Sequence, residues 1–301
     1  MQRSFLGFGR QWHWFALMPA LLLACDDNDD DLSPDQAQAR AAVAAKDNSG
    51  ILGVTQEVLD LTSMALLEKG VSGGRETTGS RIMAPCFPTI SASYEVKKSA
   101  DSVVYSGTLT VDFGDGSSCE DSTAMRRGKI TDEFRYVIAY QDTVPFSAME
   151  TITFDGFQRD SVKVDGAFVS TYTSDGSHSI DVDDAMLTYP DETTVRWSGL
   201  LAYRYHDGGT NFNPVDDTKS LSGSISGTTR ENVNFTASIT EDVLFANQCG
   251  GKHEVPVSGI VEIAASGTNA EVDYGDGTCD TSYTITVNGE TTAYDFEPKN
   301  I

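Results

Sequence analysis

Basic residues are scarce in this chain. Lys and Arg total 21 against 45 Asp and Glu, giving a formal charge of −24 at pH 7. A surface of that sign repels phosphate backbones and anionic headgroups, which excludes nucleic acid as a partner and membrane binding by charge. Histidine is scarcer still: beyond residue 24 only His178, His206 and His253 occur. None stands at ligand spacing from another and there is no Cys-x-x-Cys, so no zinc or other metal centre is expected. Catalytic signatures are missing as well. The letters "GVSGG" (70–74) fit a nucleophile elbow, but they follow a helical pattern where that motif needs a strand. Carboxylates are so abundant that no pair stands out for glycoside hydrolysis. The expectation is a protein that is not an enzyme and has no cofactor.

What is present begins with an address. Arg3 and Arg10 precede the apolar run "WFALMPALLLA" (14–24), too short for the ~20 residues of a membrane span, so residues 1–24 read as a secretory signal peptide. It ends in "LLAC", the lipobox of a bacterial lipoprotein, which makes Cys25 the lipidation site and the lipid anchor the link to the membrane. One acyl chain holds marginally and two or more hold stably. Residues 25–32 contain "DDNDDD", an acidic tether that can bury nothing. Acidic residues at this place resemble the signal that sends Bacteroidota lipoproteins to the cell surface; in enteric bacteria Asp at this position would retain the protein at the inner membrane.

Residues 33–70 read as a helical segment. Ser33, Pro34 and Gln36 form an N-terminal capping pattern before an alanine-rich helix to about 47. "NSG" (48–50) predicts a break. A second helix, 53–69, aligns Val54, Val58, Leu61 and Ala65 and stops at Gly70. Residues 71–85 read as a linker. From 86 to 301 the period changes to two, as in Ile90, Ala92, Tyr94, Val96 and again in Val233, Phe235, Ala237, Ile239. Such alternation marks antiparallel strands with one buried and one wet face, and "FDGF" (154–157) and "YPDE" (189–192) read as turns between them. Gly107, Gly128, Gly166, Gly199, Gly223 and Gly259 fall within these strands on the apolar parity, which predicts a sheet curled strongly inward. The fold class expected is mainly β: a strongly curved antiparallel sheet or open barrel, with a short helical N-terminal segment. Its concave side would hold either the second helix or a ligand.

One motif occurs twice, as "VDFGDGSSCE" (111–120) and "VDYGDGTCD" (272–280). Asp112 and Asp115, or Asp273 and Asp276, offer too few oxygens for a calcium loop by themselves. Asp-Gly pairs are turn formers. Setting aside the lipidated cysteine, Cys86, Cys119, Cys249 and Cys279 remain, an even number that in an exported protein reads as two disulfides. The separations 86–119 and 249–279 are alike and each ends in the repeated turn, which favours pairing within each copy. The repeated letters are similar to the signature of PKD domains, yet neither copy continues into the His-x-Tyr strand of that family. Together with "CFPTI" (86–90), "RRGKI" (126–130), "VDGAF" (164–168), "LSGSISGT" (221–228) and "PVSGIVEI" (256–263), the two copies resemble an uncharacterised family of Bacteroidota surface lipoproteins over nearly all of 86–296. That resemblance implies an address and an architecture, and no activity.

Trp197, Tyr203 and Tyr205 share one parity of a strand. They are candidates for stacking on a ligand such as a sugar ring, or for the sheet core. Three functional readings follow. The first is a non-enzymatic binding or scaffolding module, lipid-anchored at the outer membrane and exposed at the cell surface, with a glycan, lipid or surface protein as partner. The second is a carrier of a lipid or other apolar ligand in a concave β cavity. The third is a glycan-acting hydrolase, which requires two carboxylates in one cleft.

Overall fold

Alternation from residue 86 onward resolves into thirteen antiparallel strands, preceded by one helix. The computed structural model describes residues 33–70, 88–116, 125–140, 147–173, 177–206, 218–246, 256–279 and 282–295. The helix is α1 (Pro34–Glu68). The strands are β1 (Thr89–Lys98), β2 (Ser102–Asp112), β3 (Arg126–Ala139), β4 (Ser147–Arg159), β5 (Val162–Tyr172), β6 (His178–Thr188), β7 (Thr194–His206), β8 (Thr218–Thr228), β9 (Asn234–Ala246), β10 (Pro256–Ala265), β11 (Thr268–Asp276), β12 (Ser282–Val287) and β13 (Glu290–Asp295). Each strand pairs with its neighbours in sequence, and β1 and β13 do not pair with each other. The sheet is therefore open, not a closed barrel. One parity of each central strand is buried, as in Ile130, Phe134, Ile152, Phe168, Val182 and Leu201. The other parity carries Thr, Ser and Asp to solvent.

Strand glycines allow the curl. Gly166 has φ +111°, and a Cβ there would lie 2.7 Å from Ala185 Cα on β6. Gly223 has φ +121°, and a Cβ would lie 2.3 Å from the Leu200 carbonyl oxygen of β7. At both positions the register of the pairing shifts, so these are bulges where neighbouring backbones close in.

Of the two expected turns, "YPDE" is one: Glu192 N–H donates to the Tyr189 carbonyl, and Tyr189 N–H to that of Thr193. "FDGF" is not. Residues 154–157 lie inside β4, where the pairing with β5 jumps from Thr153 to Gln158. The extra residues turn both Phe154 and Phe157 inward, where their rings stack 6.0 Å apart. Packing of two phenylalanines thus absorbs an Asp-Gly pair that would otherwise reverse the chain.

The helical segment also departs from expectation. It is not two helices broken at 48–50 and it is not short: α1 runs unbroken for 35 residues. Its start is as read, with Ser33 Oγ accepting from Gln36 N–H, the Gln36 side chain accepting from Ser33 N–H, and Pro34 in the first turn. Gly70 follows its end with φ +67°. The break fails because every residue from Asp47 to Leu59 is buried. Ser49 Oγ donates to the Ala45 carbonyl and meets the Tyr274 hydroxyl at 2.9 Å. Gly50 lies beside the Tyr189 hydroxyl. A helix buried on all faces, rather than along one stripe, is a core element. Length and composition would suffice for α1 to cross a membrane, yet it is mostly buried inside the sheet.

Candidate functional site

The concave side of the sheet is occupied. Helix α1 backs onto β10, β11 and β12 toward one edge of the sheet and onto β2 toward the other. Its acidic side chains then reach basic residues on other strands. Asp47, fully buried, pairs with Arg230 at 2.7 Å in the turn between β8 and β9, and also accepts from the Arg230 backbone N–H at 3.0 Å. Glu57 takes Arg126 of β3 and Arg159 of β4, the latter at 3.0 Å. Asp60 pairs with Lys219 of β8. Burial pushes the Asp47 carboxyl above its ordinary range while Arg230 pulls it back. Buried pairs of this kind give little net stability over apolar packing, but removing one partner strands a charge. They fix the depth and rotation of the helix.

Toward the other edges of β3–β7 the inner face becomes polar. Glu150 accepts hydrogen bonds from the Tyr136 hydroxyl and from Ser170. Ser170 Oγ also meets His178 Nε2 at 2.8 Å, and the His178 ring lies edge-on to Tyr203 with centroids 4.9 Å apart. Asp132 sits two residues from Phe134 on β3, 1% exposed. Burial raises the Asp132 carboxyl to about 8, helped by the negative charge of Glu150. Glu150 is raised by burial too, and burial lowers His178 to about 4. In this arrangement Ser170 lies between His178 and Glu150, and Asp132 is buried beside them. Among the described residues no three His, Cys, Asp or Glu side chains converge as a metal centre. Sequence reading missed Asp132 and Glu150. The signal was there, since each interrupts an apolar parity.

The two copies of the repeated motif are built alike. Asp112 Oδ1 accepts from Gly114 N–H at 2.8 Å, and Asp273 Oδ1 accepts from Gly275 N–H at the same distance. Asp112 thus caps the turn after β2, whereas Asp273 and Gly275 still lie within β11; Phe113 and Tyr274 between the aspartates and the glycines are buried in the core. The copies end β2 and β11. In a meander the connections alternate between ends, so the two turns lie at opposite ends of the sheet.

The aromatic candidates separate. Trp197 is in the core, 2% exposed and edge-on to Phe168. Tyr203 is half-buried against His178 and bonded to Gln56 of the helix. Tyr205 is 46% exposed. The three do not form one exposed platform. Cys25, Cys86, Cys119 and Cys249 lie outside the described residues, as does the 71–85 linker; Cys279 is the one cysteine within them.

The outer face offers a groove. It has a volume of about 740 Å³ over β6–β9, lined by Asp181, Asp183, Ser198, Leu200, Ser224 and Thr236 among others. A second depression of about 300 Å³ shares Thr236 and Ser238 with it and continues to Glu262, Glu271 and Thr286. The floor follows the strand register: Asp181, Leu200, Ser224, Ser238, Glu262, Glu271 and Thr286 are successive cross-strand neighbours. Leu200, at 59% exposed, is the large apolar side chain among them. No family model, curated protein or solved structure is significantly similar to this chain.

Proposed function

We propose that this protein is a lipid-anchored outer-membrane lipoprotein, exposed at the cell surface, that acts as a non-enzymatic binding or scaffolding module through the outer face of its sheet. The observation that carries this reading is the helix in the concave side. With α1 seated there by three sets of ion pairs, the surface left for a partner is the polar groove across β6–β12. The same observation weighs against a carrier, which needs that interior for its cargo. Hydroxyls, carboxylates and one exposed leucine suit a polar partner such as a glycan or a protein surface.

The address belongs to the proposal, as do the family resemblance and the two disulfides. Pairing within each copy is supported by topology. Thr89 faces Asp112 at one end of the sheet, three residues after Cys86 and seven before Cys119. Ser258 faces Asp276 at the opposite end, near Cys249 and Cys279.

The experiment is native mass spectrometry of residues 26–301 purified from an oxidising compartment, followed by solvent extraction. A clean mass four hydrogens below the reduced value fits a plugged interior and two disulfides. A stoichiometric extractable lipid would turn the reading toward a carrier. Alongside it, Cys25→Ser should move the protein from the membrane to the soluble fraction; retention at the membrane would refute the anchor.

A further inference from the structure

Every acidic side chain that α1 buries meets a base, but the inner face of the sheet holds an acid that does not. Both carboxylate oxygens of Asp132 are buried without a hydrogen-bond partner among the described residues. Its direct cross-strand neighbour is Ile152, and Glu150 lies two residues along the same strand. The two carboxyl side chains are therefore diagonal neighbours on one face, roughly 7–8 Å apart at the backbone and closer at their ends. Tyr136 and Ser170 hold Glu150 in place by hydrogen bonds. The groups that act on the pair are Glu133 from the outer face, the Tyr136 phenol and the Ser170 hydroxyl; all are acidic or neutral. His178 lies beyond Ser170 and is held neutral by its burial.

Two buried carboxyls without a countercharge are costly, and an unsatisfied buried group calls for a bound species that satisfies it. We propose that Asp132 and Glu150, with the hydroxyl oxygens of Tyr136 and Ser170 beside them, form an internal site for a hard cation of calcium size. The donors are all oxygen, which excludes soft metals. Two carboxylates balance a divalent charge. Magnesium demands near-octahedral geometry and sheds its water reluctantly, whereas calcium accepts irregular shells of protein and water oxygens. A site made by adjacent strands β3, β4 and β5 would clamp these three strands together.

The test uses the full mature chain, freed of metal by a chelator and titrated with calcium chloride, with magnesium chloride in parallel. Calcium should bind in a one-to-one ratio by calorimetry and raise the unfolding temperature. Asp132→Asn and Glu150→Gln should each abolish both effects while keeping the wild-type circular dichroism. Absence of a calcium effect in the wild type would overturn the proposal and leave a carboxyl that keeps its proton. A calcium effect that survives in both variants would overturn it equally, placing the ion on exposed acids instead.

Discussion

A single methyl group tests the curl of the sheet. Gly223→Ala adds a Cβ 2.3 Å from a backbone oxygen at a φ of +121°, so neither rotation nor side-chain movement can relieve it. We expect a loss of about 2–4 kcal/mol in urea unfolding. Gly289→Ala, at φ +83° with open space around it, should cost about 1 kcal/mol. Equal losses would mean that backbone conformation, not close approach of β7 and β8, is what selects glycine. Asp132 makes a second test at this scale. Its folded carboxyl is raised to about 8, well above the ordinary value in the unfolded chain. The folded state thus holds a proton that the unfolded state gives up, so stability should fall as pH rises from about 4 to 8 and level off above. In chelator, Asp132→Asn should remove that slope and be roughly 1–3 kcal/mol more stable than wild type at pH 8. A wild-type profile that is flat from pH 5 to 8 would show that the carboxyl is not buried as described. This residue was legible in the sequence as an acid between Ile130 and Phe134, both of inward parity. What hid it was the abundance of acids around it.

Elements were legible where local chemistry decides and illegible where packing does. The start of α1 could be read because Ser33, Pro34 and Gln36 satisfy their own backbone groups locally. Its middle could not: Asn48, Ser49 and Gly50 prefer turns, and Tyr274 and Tyr189, over a hundred residues away, pack against them in the helix. The same contrast separates "YPDE", whose hydrogen bonds are its own, from "FDGF", which two phenylalanines draw into a strand. Ion pairs between α1 and the sheet were likewise invisible, since their partners come from β3, β4 and β8. Glu57→Gln tests their importance. It leaves Arg126 and Arg159 facing a neutral side chain in the interior, and should cost about 3–5 kcal/mol in chemical unfolding. A loss below about 1 kcal/mol would mean that those arginines find water or other partners, and that apolar packing alone seats the helix.

At the scale of the whole molecule, the pairing of each strand with the next makes the sheet a long ribbon, and the helix is what it is wrapped around. Among the described residues β1 and β13 are the edges of the sheet. Glu95, Lys97 and Lys98 on β1 place charges where another strand would otherwise add. Because residues 47–59 of α1 are buried on every face, exposing their amides requires helix and sheet to separate. Amide exchange at residues 51–59 should therefore be as slow as in β4 and β9, with the same response to denaturant. Faster exchange by orders of magnitude in the helix alone would show that it leaves the sheet independently.

Sequence order gives this arrangement a history as well as a shape. α1 ends at Glu68, whereas β10, the first of the three adjoining strands it backs onto near the sheet's far edge, begins at Pro256. Each strand can zip onto its predecessor as soon as it is made, since those contacts are local and fast to form. The helix finds β2, β3 and β4 early, but the side that packs on β10, β11 and β12 stays bare through most of synthesis, in the kind of partly folded chain that aggregates. The first element made is thus the last to be fully housed, and the yield of native protein is decided by the arrival of its final strands.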